Sequence, residues 1–342
     1  MSSAASVPQT YNLEGDDALK TLKRTGWGRL AKDSFLRFRY ADGFSHVRAL
    51  AFQITLTMLP GVIAVVGLAT ALHQTHFRDI LRQTFTRLAP GPASDVILTA
   101  FRHGERAGGV GNLIAVLFGL LVALISGTTA MGQIERGANR IYGIERDRPS
   151  LQKYAKAARL TVTAGLLSVV AFVLLIAGQD IAKASGFSGA SRTAWSVLLW
   201  PLSILLVVAA MALLFRESPK RRQPSASWLA AGSAVSVVLW LVFTGLLLLY
   251  LSKSSTFSQT YGPLAGMLGI LLWAFLTSLA VFLGLAFAAQ LEAVRAGRPD
   301  PVRESARQGP PPRPARRGGA GAAVTTGLRG GGRPWRPSAG PR

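Results

Sequence analysis

The sequence predicts an all-α fold: a polytopic membrane helix bundle with about six transmembrane helices and both termini in the cytoplasm. Three observations carry this. Six stretches, 49–72, 111–134, 160–182, 194–215, 228–251 and 264–290, hold 144 of the 342 residues but only one charged side chain, Asp180. An even spread of the 54 charges would place about 23 there, which excludes a soluble globular protein. Each stretch has 22–27 residues, and about 20 suffice to cross a hydrocarbon core as a helix. Backbone amides in lipid must bond within their own segment, which favours helices over ten-residue alternating barrel strands. Finally, the N-terminal arm, the 135–159 and 216–227 loops and the tail carry 30 Lys and Arg against 8 in the alternate loops. That asymmetry is the positive-inside pattern.

The chain divides into a cytoplasmic arm (1–48), a six-helix transmembrane domain (49–292) and a basic tail (293–342). In the arm, Leu30 to Tyr40 mixes apolar and basic residues at near-helical spacing, as an interfacial amphipathic helix does. No secretory signal precedes the first span, so that span is expected to remain in the mature protein. Cysteine is absent, so disulfides and thiol ligands play no part. Span one carries Gln53 one turn in and Pro60 at its centre, where the missing N–H frees the Leu56 carbonyl and permits a kink.

In the 73–110 loop, Phe77, Ile80, Leu81, Phe85 and Leu88 follow one helix face, and Pro90 and Pro92 end it. Span two ends in Ser126, Gly127, Thr128 and Thr129, then Gln133, Glu135 and Arg136. Gly119, Ala123 and Gly127 form a small-residue face suited to close helix contact. Asp180 ends span three within reach of Lys183. The tail holds 30 Gly, Pro or Arg in 50 residues, a composition that cannot bury enough surface to order, so disorder is expected.

The sequence supports no enzymatic activity. His73 and His76 are the only close histidine pair and have no carboxylate beside them. H-E-x-x-H, G-x-S-x-G, P-loop and G-x-G-x-x-G motifs are absent. No cofactor is implied. The tail has one aromatic, Trp335, and so lacks the stacking platforms of a nucleic-acid binder. Anionic lipid headgroups are the expected partners of the basic segments, and homo-oligomerisation is left open.

Three blocks resemble the YihY/BrkB family of six-span bacterial inner-membrane proteins. Ala41-Asp42-Gly43, Arg48 to Phe52 and Pro60 are similar to its acidic residue, L-A-F/Y motif and mid-span proline. Ala138, Asn139, Arg140, Ile141, Tyr142 and Gly143 with Glu145 and Arg148 are similar to A-L-N-x-x-Y…E…R. Tyr261-Gly262, Trp273 and Gly284 leading to Gln290-Leu291-Glu292 are similar to Y-G-x-L…L-L-W…G-A-E-L-N. Two departures stand out: Gln53 replaces an aromatic, and the family acid falls on Ala286.

The resemblance implies a multi-pass protein of the bacterial inner membrane, linked to envelope integrity and virulence. The family has also carried a ribonuclease label, for which this sequence offers no clustered acids, histidines or metal ligands. The expected function is transport or flipping of a lipid or envelope component through a groove of Gln53, Thr57, Ser126 and Thr128 hinged at Pro60. The alternative is a non-transporting scaffold that binds anionic lipid or protein partners through its basic loops and tail.

Overall fold

The computed structural model describes residues 3–10, 18–71, 98–99, 102, 110–184, 186, 188–253 and 265–303. The helices expected in the 73–110 loop, the motif residues Tyr261 and Gly262, the Asp180 side chain and the tail from residue 304 lie outside the described residues. Among the described residues there are eight helices: α1 (Ala18–Thr25), α2 (Trp27–Tyr40), α3 (Gly43–Ala71), α4 (Val110–Ile141), α5 (Ser150–Ala184), α6 (Gly189–Glu217), α7 (Ala226–Lys253) and α8 (Ala265–Arg295).

The last six have 28 to 35 residues, about 40–50 Å at 1.5 Å per residue. Four of them contain segments long and apolar enough to cross a membrane: Leu117–Ile141, Gly189–Glu217, Trp228–Lys253 and Gly266–Arg295. α3 runs as one helix through Pro60.

The six long helices form a closed cyclic order. Each packs against the next in sequence, and α8 returns to α3. Small residues allow one of these closures. A Cβ on Gly284 of α8 would strike the Ser236 hydroxyl of α7 and lie 2.6 Å from the Gly232 carbonyl. These two backbones are therefore as close as they can come. Gly127 on the small-residue face of α4 is likewise pressed against Thr161 of α5, an intramolecular contact.

Outward faces of the long helices are apolar, with Phe118, Leu166, Val197, Trp200, Leu205 and Leu246 exposed. That is the reverse of a soluble surface and suits lipid as solvent. The largest buried core gathers at one end, where Val47 and Leu50 of α3, Ile134 and Ile141 of α4, Phe215 of α6, Leu229 of α7 and Phe282 and Leu285 of α8 meet.

The arm packs onto this same end. α2 turns its buried side, Leu30, Ser34, Arg37 and Phe38, against α8, so protein takes the face that an interfacial helix would give to lipid. Trp27 and Phe35 stay exposed. Asp42, at φ +57°, makes the sharp turn from α2 to α3. Its carbonyl accepts from the Ser45 and His46 amides, and its carboxylate accepts from the Ser45 hydroxyl at 2.8 Å. A short polar acid tolerates this left-handed position better than most residues.

The chain remains packed beyond α8 as far as Arg303. Ala4 pairs antiparallel with Val302, and the Ala5 and Arg303 amides donate to Pro301 and Ser3. Residues 3–10 and 299–303 thus lie together at the end that also holds the 142–149 and 218–225 loops.

Candidate functional site

Among the described residues, two polar assemblies bear on function, beside single interhelical bonds such as that from the Trp240 indole N–H to the Thr277 hydroxyl at 3.2 Å. One is a seam between α3 and α4. Thr129 shares its one hydroxyl proton between Gln53 Oε1 at 2.9 Å and the Ser126 carbonyl of its own helix at 2.7 Å, and nearer the buried core Gln133 Nε2 lies 3.4 Å from His46 Nδ1. Of the groove residues expected from sequence, only Gln53 makes such a bond across the two helices. Thr57 and Thr128 bond back to the Gln53 and Leu124 carbonyls of their own helices at 2.7 and 2.6 Å, and Ser126 accepts from Thr129 through its carbonyl. The structure puts Thr129 opposite Gln53, one position beyond Thr128; α-helical rotation of about 100° per residue decides which of them faces α3.

The other assembly is a buried ionic network at the core-bearing end. Arg37 of α2 is fully buried and donates from Nε to Gln290 Oε1 of α8 at 2.8 Å, and from Nη1 to the Ala5 and Ile141 carbonyls. Burial lowers its pKa to about 10, because desolvation disfavours the charged form. Arg221 pairs with Glu292 at 2.5 Å and lies 4.7 Å above the centre of the Tyr142 ring. Thr10 donates to the same Glu292 oxygen at 2.9 Å. Burial also drives the Tyr142 phenol well above its ordinary range.

The Asn139 to Arg148 stretch does mostly architectural work. Asn139 donates to Asp147 at 2.8 Å while its amide oxygen accepts from the Lys220 backbone, joining the two loops of this end. Glu135, which the sequence places beside Arg136 at the end of span two, meets Arg148 at 3.1 Å and is buried, whereas Arg136 is exposed. Arg148 also donates to the Ser218 and Pro219 carbonyls. Lys153 approaches Asp147 at 3.7 Å, and burial lowers its pKa. Glu145 is bound by Arg303 at 2.8 Å, which holds its carboxyl below the usual carboxylate range. Trp273 is half-buried on α8, and Ala286, where the family acid was expected, is fully buried in the core. The carboxylate that α8 does bring to this end is Glu292.

Sequence reading missed Arg37, Arg221 and Thr129. Arg37 and Arg221 were counted only as basic residues of an arm and a loop; their burial comes from contacts more than 60 residues away along the chain. Among the described residues, no group of three or more His, Asp or Glu could hold a metal ion.

A ring of long helices with an apolar exterior, strung with membrane-crossing segments, defines an integral membrane protein of the helical, multi-pass class. The sequence profile described as Virulence factor BrkB matches residues 34–309, and the chain belongs to that family. It is 26% identical over 259 residues to the ribonuclease-like protein YfkH of Bacillus subtilis, covering 74% of this chain and 91% of that protein. It is 29% identical over 273 residues to a UPF0761 membrane protein of Methylibium petroleiphilum, covering 79% of this chain and 64% of the relative. A UPF0761 membrane protein of Albidiferax ferrireducens is 29% identical over 301 residues, covering 86% and 69%. No solved structure matches.

Proposed function

We propose that this protein moves a lipid or amphiphilic envelope component across the bacterial cell membrane, spanning it six times with both termini in the cytoplasm. The observation that carries the reading is the α3–α4 seam, where Gln53 bonds Thr129 and Gln133 approaches His46. Polar side chains inside a span are costly unless partnered, and in a membrane they mark pathways. This seam leads toward the end whose surface carries exposed Arg39, Arg136, Arg146 and Arg222, basic residues that attract anionic headgroups. In the mechanism, α3 bends at Pro60, the Gln53–Thr129 bond opens, and a headgroup takes over both polar groups while the acyl chains stay in lipid. None of these steps requires a bond to be made or broken in the substrate.

Six spans and cytoplasmic termini find support in the six-helix ring, in the gathering of residues 3–10 and 299–303 at one end, and in the Lys and Arg asymmetry of the sequence. The test is translocation of fluorescent lipid in proteoliposomes. Movement faster than in protein-free vesicles, and slowed in Pro60→Ala, supports transport; movement no faster than in protein-free vesicles contradicts it.

The second reading, a non-transporting scaffold that binds anionic lipid or partner proteins through its basic loops and tail, rests on the excess of Lys and Arg in those segments. It predicts loss of function when the tail is removed. The cut belongs after Arg303, because residues 298–303 are part of the fold.

A further inference from the structure

We propose that residues 3–10 cover a binding site for a hydroxyl-bearing phosphodiester monoanion, centred on Arg37 and Arg221. The proposal concerns binding and stands whether or not the protein moves lipid.

Charge is the first observation. Arg37 is fully buried, and its bonded partners, Gln290 Oε1 and the Ala5 and Ile141 carbonyls, are all neutral. The nearby buried carboxylate, Glu292, is taken by Arg221. Two guanidiniums therefore share one carboxylate, and an uncompensated charge in a dry interior is expensive. Residues 3–10, Ser-Ala-Ala-Ser-Val-Pro-Gln-Thr, carry no charge. They supply carbonyl oxygens instead: Ala5 to Arg37 at 2.7 Å, and Val7 and Pro8 to Arg221 at 3.2 and 3.1 Å. The strap solvates the two cations without neutralising them. A phosphodiester offers the same acceptor oxygens together with the missing charge, in a geometry that arginine's planar fork matches.

Unpartnered atoms supply the second observation. Arg37 Nη2, Gln223 Oε1 and Glu292 Oε2 are buried without hydrogen-bond partners. These groups are neighbours, since Glu292, Arg221, Gln223 and Arg37 are the groups that act on Tyr142. Arg37 Nη2 is a donor suited to phosphate oxygens. Glu292 Oε2 and Gln223 Oε1 are acceptors; they disfavour a bare dianion and suit a ligand with its own O–H donor close to the phosphate. One monoanionic ligand of this class satisfies all three atoms and balances the charge.

The strap is held in a way that permits release. Its ladder to 301–303 is short, and its contacts to Arg37 and Arg221 run through backbone carbonyls, so a competing anion displaces it without unfolding a helix.

The experiment uses the full-length protein in phosphatidylcholine nanodiscs. One arm adds soluble glycerophosphoglycerol; a second incorporates phosphatidylglycerol. Hydrogen exchange is read at the Ala5 and Val7 amides, which donate to Pro301 and Tyr142, and affinity is measured in parallel. Ligand is expected to speed exchange at both amides about tenfold or more, and deletion of residues 3–10 to tighten binding by a similar factor. Arg37→Lys, which keeps the charge but loses the fork, is expected to weaken binding about tenfold. A response to lipid alone identifies a membrane headgroup, and a response to the soluble diester identifies a free ligand. Absence of binding in both arms, or binding that leaves Ala5 and Val7 protected and is unchanged in Arg37→Lys, overturns the proposal.

Discussion

Arg221, in the loop between α6 and α7, reaches Glu292 near the end of α8 at 2.5 Å, and both side chains are almost completely buried. Breaking such a pair from one side leaves a lone charge in a dry interior. Glu292→Ala is expected to cost about 3–5 kcal/mol of stability. The double variant Arg221→Met with Glu292→Leu should recover much of that loss, since both members of the pair leave together and the net charge around Arg37 is unchanged. Thermal unfolding of both variants in detergent checks this; equal losses in the two would refute it.

Gly143 ends α4 at φ +73°, and a Cβ there would lie 2.6 Å from the Ser6 Cα. A left-handed L-residue costs roughly 1–2 kcal/mol before any clash. Gly143→Ala should therefore lower stability by about that amount and loosen residues 3–10. The readout is amide exchange at Val7, which donates to the Tyr142 carbonyl. Unchanged protection there would show that the strap does not depend on this turn.

At the α7–α8 crossing, Gly284 has the Ser236 side chain and the Gly232 backbone where its own Cβ would stand. Overfilling a tight contact of this kind costs about 1–3 kcal/mol. Gly284→Ala is expected to lower the unfolding temperature. Gly245, whose Cβ would meet nothing within 4 Å, serves as the control, and Gly245→Ala should leave the unfolding temperature level or slightly higher.

The Glu145–Arg303 pair predicts a pH dependence. Its bond to Arg303 lowers the Glu145 pKa below the ordinary 4.5. A carboxyl with a depressed folded pKa contributes stability that is fully present above the ordinary value and is lost as pH falls through the folded one. Protection of the Arg303 amide, which donates to Ser3, should therefore hold at neutral pH and decline well below pH 4.5. In Glu145→Gln that acid step should vanish; its persistence would assign the step to another group.

Helices were legible in the sequence because lipid imposes a simple rule. Charge-free stretches such as 228–251 must close their own hydrogen bonds, and α7 (Ala226–Lys253) follows that stretch closely. The polar assemblies were only partly legible. Gln53 was visible because a polar group deep in a span is conspicuous, but its partner Thr129 is chosen by helix rotation against a neighbour. Glu135 looked like a span end next to Arg136, yet its partner Arg148 arrives through the turn at Gly143. Arg37 and Arg221 read as ordinary basic residues, because nothing local reports that residues 3–10 fold back over them.

The central claim is that the α3–α4 seam carries a substrate headgroup. Its most direct test is fluorescent-lipid translocation in proteoliposomes by the wild-type protein and by the paired variant Gln53→Leu with Thr129→Val, which keeps the helices matched but removes the polar contact. The account predicts translocation above protein-free vesicles for the wild type and a loss of about tenfold or more for the variant, the scale of one lost polar partner. Equal rates in both proteins would contradict it.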